Sequence, residues 1–360
     1  MCMKEQLKHI EPYKPGKRIE EVQQELGLAK VEKLASNENP FGSSPKALDA
    51  VRQVLESSAY YPDGYATELR SAVSRHLNVR EDRMIFGNGS DELISLVSRC
   101  TLQPAANVVA AWPTFSNYKR NALIDGAEVR EIPLKNGEHD LEAMLEAVDE
   151  RTEIVWLCNP NNPTGTYISE NDFIGFLDRL PNTVLVVCDE AYKEYVVADD
   201  YPDTIKYIDQ FPNLLVTRTF SKAYGLAGFR VGYGVGHEDL IRSLEPAREP
   251  FNVSRAAQAA ACAAIGDQAF IEATVANTRK GLKQYYDFCE AAGLTYYPSQ
   301  TNFILIDFGV SGDIVFDYLL KRGFIVRSGT GLGAPTAVRI TIGTEEQNTG
   351  VIQCLKDFLG

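Results

Sequence analysis

The chain has 360 residues, 44% of them hydrophobic and 24% charged, with a formal net charge of -13. That balance excludes a disordered chain, and the length predicts one large and one small domain with a cleft between them. The acidic composition argues against a nucleic-acid partner, which needs a concentrated basic face, and leaves room only for a local basic pocket around a small anion.

Met1 to Ile10 are polar and charged with no apolar signal core, and no apolar run reaches membrane-spanning length. A cytoplasmic protein without membrane contact is expected. The seven cysteines are an odd number, and Cys158, Cys188 and Cys262 sit inside apolar stretches, which reads as buried free thiols. His9, His76, His139 and His237 are scattered without ligand spacing, so no metal is expected.

In chain order, residues 1–35 form a charged arm carrying Pro12 and Pro15, expected to pack beside the small domain or on a partner subunit. A glycine turn at Gly87 to Glu92 runs into a predicted helix from Ser90 to Cys100. Val108 to Trp112 is a strand candidate. Ile154 to Cys158, Val184 to Cys188 and Leu214 to Val216 are compact apolar runs separated by helical patterns such as Ser169 to Leu180. This is the pattern of buried parallel strands with helical crossovers, an α/β fold. Phe229 to Val235 adds a strand. Residues 36–267 are thus assigned to the large domain. From Gln268 a long charged helix runs through Cys289, followed by strand candidates at Asn302 to Asp307, Phe324 to Arg327 and Val338 to Ile342. Residues 268–360 read as a smaller α+β domain.

Each of the three compact runs ends in polar residues: Asn159 to Gly165, Asp189 to Tyr192, and Arg218 to Lys222. In open α/β sheets ligands bind outside the carboxyl ends of strands, so three loops would converge on one site. Lys222 follows Thr219, Phe220 and Ser221 at a strand end and precedes Gly225 and Gly228, where a ligand can approach the backbone closely. Such a lysine suits the aldehyde of pyridoxal phosphate, an electron sink for chemistry at the α-carbon of amines. Taken alone, a lysine on a loop reads as a solvated surface charge.

That sink needs a protonated pyridine nitrogen and hence a fixed carboxylate facing it, and Asp189 fits unless it is only a helix cap. Asn162 and Tyr192, from adjacent strand ends, can donate to the ring's phenolate oxygen; the alternatives are an Asn-Pro turn and a packed aromatic. The helix start at Ser90 and Asp91, the hydroxyls of Thr219 and Ser221, and Arg230 would form a phosphate cup. Tyr118 or Phe115, in P-T-F-S-N-Y, could stack on the ring face.

The segments N-P-N-N-P-T-G (Asn159 to Gly165), D-E-A-Y (Asp189 to Tyr192), S-K-A-Y-G-L-A-G-F-R (Ser221 to Arg230) and R-I-T-I-G (Arg339 to Gly343), in this order, resemble fold-type I pyridoxal-phosphate aminotransferases across nearly the whole chain. P-Y-K-P-G-K at Pro12 to Lys17, L-A-S-N-E-N-P-F-G at Leu34 to Gly42, Y-P-D-G at Tyr61 to Gly64 and G-N-G-S-D-E at Gly87 to Glu92 narrow the resemblance to the histidinol-phosphate aminotransferase family. The resemblance implies a homodimer with Lys222 holding the cofactor, Asp189 facing its nitrogen, Asn162 and Tyr192 at its phenolate, and Ser90, Asp91, Ser221 and Arg230 at its phosphate. It implies Tyr118 as the stacking aromatic, with Phe115 standing where a tyrosine is also common, and Tyr61 reaching the phosphate from the neighbouring subunit. It also implies Arg339 at the acidic end of substrates, with Tyr13 and Arg327 closing over a substrate phosphate. The small-molecule substrates it implies are L-histidinol phosphate and glutamate or 2-oxoglutarate, in histidine biosynthesis. An aromatic amino acid aminotransferase is the runner-up, followed by a threonine-phosphate decarboxylase and a non-enzymatic cofactor-binding regulator; no added DNA-binding module is visible for the last.

Overall fold

The structure, a computed structural model, describes residues 4–10, 12 and 16–360. Its strands are β1 (Glu32–Lys33), β2 (Met84–Gly87), β3 (Asn107–Trp112), β4 (Glu128–Pro133), β5 (Thr152–Cys158), β6 (Leu185–Asp189) and β7 (Leu214–Thr219). There follow β8 (Gly232–Gly236), β9 (Thr295–Tyr296), β10 (Phe303–Asp307), β11 (Phe324–Ile325), β12 (Arg327–Ser328) and β13 (Ala337–Thr341).

Seven strands form the main sheet in the order β2-β8-β7-β6-β5-β3-β4. The pairs from β7 through β4 are parallel, and β8 alone runs against both its neighbours. Because side chains alternate along a strand, Val155, Leu157, Val186 and Cys188 enter one core while Ile154, Trp156, Leu185 and Val187 enter the other. Helices Pro45–Val54, Thr67–Leu77, Glu170–Leu177 and Arg255–Ile265 cover the first face. Ser90–Thr101, Asn117–Asp125 and Glu238–Leu244 cover the second. Burial on both faces is why these strands read as unbroken apolar runs.

A second sheet, β12-β13-β10-β9, packs its apolar face on helices Gln268–Ala292, Gly312–Leu320 and Glu345–Leu359. The long helix belongs to both cores: Ile271 packs into the main one, whereas Leu282, Tyr285 and Phe288 pack into the smaller. Strand β1 pairs in parallel with β11, which lays the arm beside the smaller sheet.

Three local expectations need correction. Phe324 to Arg327 is two strands, because Ile325 pairs with Lys33 while Arg327 pairs with Arg339 in the other sheet. The strand expected from Phe229 begins at Gly232, since Ala227–Phe229 is a 3-10 turn and Arg230 takes a left-handed φ of 54°. Cys158 and Cys188 are buried, but Cys262 is partly exposed, because Ala257, Ala260, Ala261 and Ala264 take the core side of its helix. The described cysteines are free, and no group of histidine, cysteine or acidic residues among the described residues is arranged to hold a metal.

Candidate active site

The polar ends of β5, β6 and β7 meet the N-terminus of helix Ser90–Thr101 and the edge of the smaller sheet around a cavity of about 190 Å3. Ser90, Asp91, Asn162, Asp189, Tyr192, Thr219, Ser221, Lys222, Arg230, Arg327 and Arg339 all line it. Parallel strands bring these distant segments together because their carboxyl ends share one edge.

Asp189 ends β6 and is 2% exposed. Its Oδ2 accepts a hydrogen bond from the Tyr118 hydroxyl at 2.7 Å, while Oδ1 is buried and has no partner. Burial raises its pKa to about 6, with Asp91 adding to the rise and the Tyr118 bond opposing it. The neighbouring Glu190 anchors this strand end: Arg218 of β7 donates to its Oε2 through Nε and Nη2 at 2.8 Å, and Thr204 donates to Oε1 at 2.6 Å. Both members of that ion pair are buried, and its hydrogen bonds compensate the desolvation of the charges.

Lys222 Nζ donates to the Ser36 carbonyl at 3.2 Å. Burial, followed by the positive charge of Arg339, lowers its pKa to about 8, so a substantial neutral fraction of the amine exists near neutrality. Tyr192 is buried against Phe303, and burial pushes its hydroxyl well up. Its oxygen accepts from Asn37 Nδ2 at 2.9 Å and from Asn162 Nδ2 at 3.4 Å, which leaves the phenolic proton for an acceptor in the cavity.

The phosphate cup is built on a close approach. Gly89 precedes the helix in a left-handed conformation with φ 75°, and no side chain caps the helix. A Cβ at Gly232 would stand 2.7 Å from Ser90 N, so only glycine lets β8 pass beneath the helix start. Arg230 donates to Ser221 Oγ at 3.3 Å and pairs with Asp91 Oδ2 at 3.2 Å, with its side chain 45% exposed toward the open cup. Uncapped amides, a hydroxyl and a guanidinium form an anion site.

On the far side, Arg339 is 7% exposed and donates to Asn162 Oδ1 and the Ala35 carbonyl, both at 2.7 Å. Arg327 lies directly opposite it on β12, lines the cavity and makes no side-chain ion pair or hydrogen bond among the described residues.

The stacking assignment of Tyr118 does not hold. Its ring is sealed behind the cavity wall, face to face with Trp156 at 4.7 Å, because its hydroxyl is engaged by Asp189. Of the two candidate rings it is Phe115 that lines the cavity, beside Trp112 and Tyr192. Tyr61 does not line this chain's cavity; it is 78% exposed and stacked on Phe251. Tyr13 lies outside the described residues.

Sequence reasoning missed Asn37. It is buried at φ 56°, its backbone N–H and side chain bond Thr341, and its carbonyl accepts from Asn302. It therefore ties the smaller sheet to Tyr192. Its place in L-A-S-N-E-N-P-F-G, among residues tolerant of left-handed backbone, was the available signal.

An orphaned buried carboxylate oxygen, a lysine of lowered pKa and an uncapped helix start fit the nitrogen, aldehyde and phosphate of pyridoxal phosphate. The fold and these donors define a pyridoxal-phosphate-dependent aminotransferase: residues 29–355 match the family described as aminotransferase class I and II, and the chain belongs to that family. It is 59% identical over 359 residues to histidinol-phosphate aminotransferase from Geobacillus thermodenitrificans (strain NG80-2), covering 100% of this chain and 98% of that relative. Identity to the enzyme of that name from Bacillus subtilis (strain 168) is 58% over 360 residues, covering both chains completely. A crystal structure of histidinol-phosphate aminotransferase from Sinorhizobium meliloti in complex with pyridoxal-5'-phosphate superposes with a TM-score of 0.91 at 28% identity, covering 99% of this chain and 97% of that one.

Proposed function

We propose that this enzyme exchanges the amino group between L-histidinol phosphate and 2-oxoglutarate, giving imidazole acetol phosphate and L-glutamate, a step of histidine biosynthesis. The observation that carries the reading is the facing pair Arg327 and Arg339 at the open end of a cavity whose other end holds Lys222. Two guanidinium groups suit a doubly charged phosphate, and one suffices for a carboxylate. Full-length relatives of that name support it.

Pyridoxal phosphate, when bound, stabilises negative charge at the α-carbon of an amine. Lys222 would hold its aldehyde, Asp189 its nitrogen, and Asn162 and Tyr192 its phenolate oxygen. Ser90, Asp91, Thr219, Ser221 and Arg230 would hold its phosphate. The Lys222 amine would also be suited to carry a proton to and from the substrate carbon. Phe115 would cover the ring. The boundaries at residues 36 and 268 separate the arm, the large domain and the small domain in this reading.

A homodimer is part of the reading, with Tyr61 serving the neighbouring site. Tyr60, Tyr61, Tyr65 and Phe251 are all exposed, and such aromatic surface marks association sites. Sedimentation as a monomer would remove this element. The free cysteines, and helices none of which among the described residues is long and apolar enough to cross a membrane, agree with a cytoplasmic site of action; recovery from a membrane pellet would contradict it.

The decisive test is a panel of amino donors in single-turnover half-reactions followed by cofactor absorbance. Histidinol phosphate should give the highest specificity constant; a preference for phenylalanine would move the enzyme to the aromatic aminotransferases.

A further inference from the structure

Tyr118 is 1% exposed, and its ring is held within 6° of parallel to Trp156. Its hydroxyl has one carboxylate oxygen of Asp189 as its acceptor, at 2.7 Å, and the other oxygen of the same carboxylate is buried without a partner. We propose that Tyr118 is a positioning residue for Asp189: by engaging Oδ2 it presents Oδ1 to the cavity and keeps the carboxylate ionised, so that the proton rests on the ring nitrogen of the bound ligand. This rests on the reading of Asp189 as the partner of that nitrogen.

The argument is one of donors and acceptors. A carboxylate only accepts, and in a dry site the ionised form persists when it is given donors. Tyr118 supplies one permanently, since burial and the facing Asp189 push its own pKa well up and keep the O–H intact. Thr217 and the Ala191 N–H also favour the ionised form, each by less than Tyr118 does. Asp91 raises its pKa, and the thiols of Cys158 and Cys188 are themselves raised by burial and stay neutral. Stacking on Trp156 fixes the direction of the phenol at little conformational freedom. Without the hydroxyl, Oδ2 would also be buried and unpaired, and the carboxyl would tend to take up the proton itself.

Tyr118→Phe retains the ring and its stacking while removing only the donor. In the apoenzyme, carboxyl-13C aspartate NMR gives the titration midpoint of Asp189, assigned by the signal lost in Asp189→Asn. The midpoint should rise by about one unit in Tyr118→Phe. Because the ionised carboxylate is the form that accepts from the ring nitrogen, a shift from about 6 toward 7 should lower affinity for pyridoxal phosphate about twofold at pH 7 and about fivefold at pH 6. With a saturating amino donor kcat should fall while KM for the donor holds, since Tyr118 does not line the substrate end. Site-specific 3-fluorotyrosine at position 118, a stronger donor, should shift the midpoint downward; this variant decides the matter if Tyr118→Phe does not fold, and a midpoint that stays or rises overturns the proposal. If Asp189→Asn loses cofactor affinity but Tyr118→Phe titrates and binds as the parent enzyme does, the positioning role is wrong and the reading of Asp189 stands. If Asp189→Asn binds pyridoxal phosphate normally, both are overturned.

Discussion

At the end of the cavity built on the main sheet, Asp189, Thr219 and Ser221 are buried and their strands are locked by neighbouring backbone and by the Glu190–Arg218 pair. At the end built on the smaller sheet, Arg339 is buried with two acceptors, but its neighbour Arg327 is partly exposed and has no side-chain partner among the described residues. The first end is preorganised for a ligand that stays. In the proposed reading, the second keeps an uncommitted cation for ligands that alternate, one bearing a phosphate and one a second carboxylate.

The sharpest way to test the fixed end is Lys222→Ala. Turnover should fall by more than about 10²- to 10⁴-fold, the range attributed to positioned proton transfer alone, because the covalent attachment is lost as well. Borohydride should then fix no pyridoxal phosphate to the protein, as read by mass spectrometry. Near-normal transamination would show that the comparison has the wrong residue at its centre.

The alternating end is tested by the two arginines separately. Losing a charge-assisted contact to a substrate anion costs about 1.5–3 kcal/mol, or one to two powers of ten in specificity constant. Arg339→Gln should weaken both half-reactions, whereas Arg327→Gln should depress the one with histidinol phosphate more than the one with glutamate. Equal losses for Arg327→Gln in single-turnover measurements would make the two ends alike and remove its phosphate role.

The two ends also differed in how much their sequence revealed. Runs such as Val184 to Cys188 are apolar because both faces of the sheet are covered, so their strands and the polar residues ending them, Asp189 among them, stand out locally. Strand β4 did not stand out, because its residues are half-exposed along one edge of the sheet. Arg327 and Arg339 carry no local signal of being opposite one another; that register belongs to the antiparallel pairing of β12 with β13, and resemblance alone had joined them. Tyr118 shows the opposite failure. Its motif was legible, but Phe115, the ring that enters the cavity, stands before helix Asn117–Asp125, whereas Tyr118, which braces Asp189 behind the wall, lies in that helix's first turn, a boundary the motif does not mark.

The mildest expected effect concerns pH and links the two ends. Lys222 is lowered to about 8 by burial and by Arg339, while Asp91 works in the opposite direction. The neutral amine is the form that attacks an aldehyde, so the rate at which apoenzyme captures pyridoxal phosphate should rise as pH increases and level off above about 8, after correction for the cofactor's own titration. A lysine at its ordinary value would instead keep gaining reactivity until about pH 10.4. Removing the cation at the substrate end with Arg339→Gln stabilises the protonated amine less unfavourably, so the midpoint should move to higher pH and capture at pH 7 should slow by a few-fold. Asp91→Asn removes an anion and should move the midpoint down. Stopped-flow capture rates between pH 6 and 10 measure all three. If Arg339→Gln leaves the midpoint in place, the guanidinium and the amine do not sense one another, and the fixed and alternating ends of the cavity are electrostatically independent.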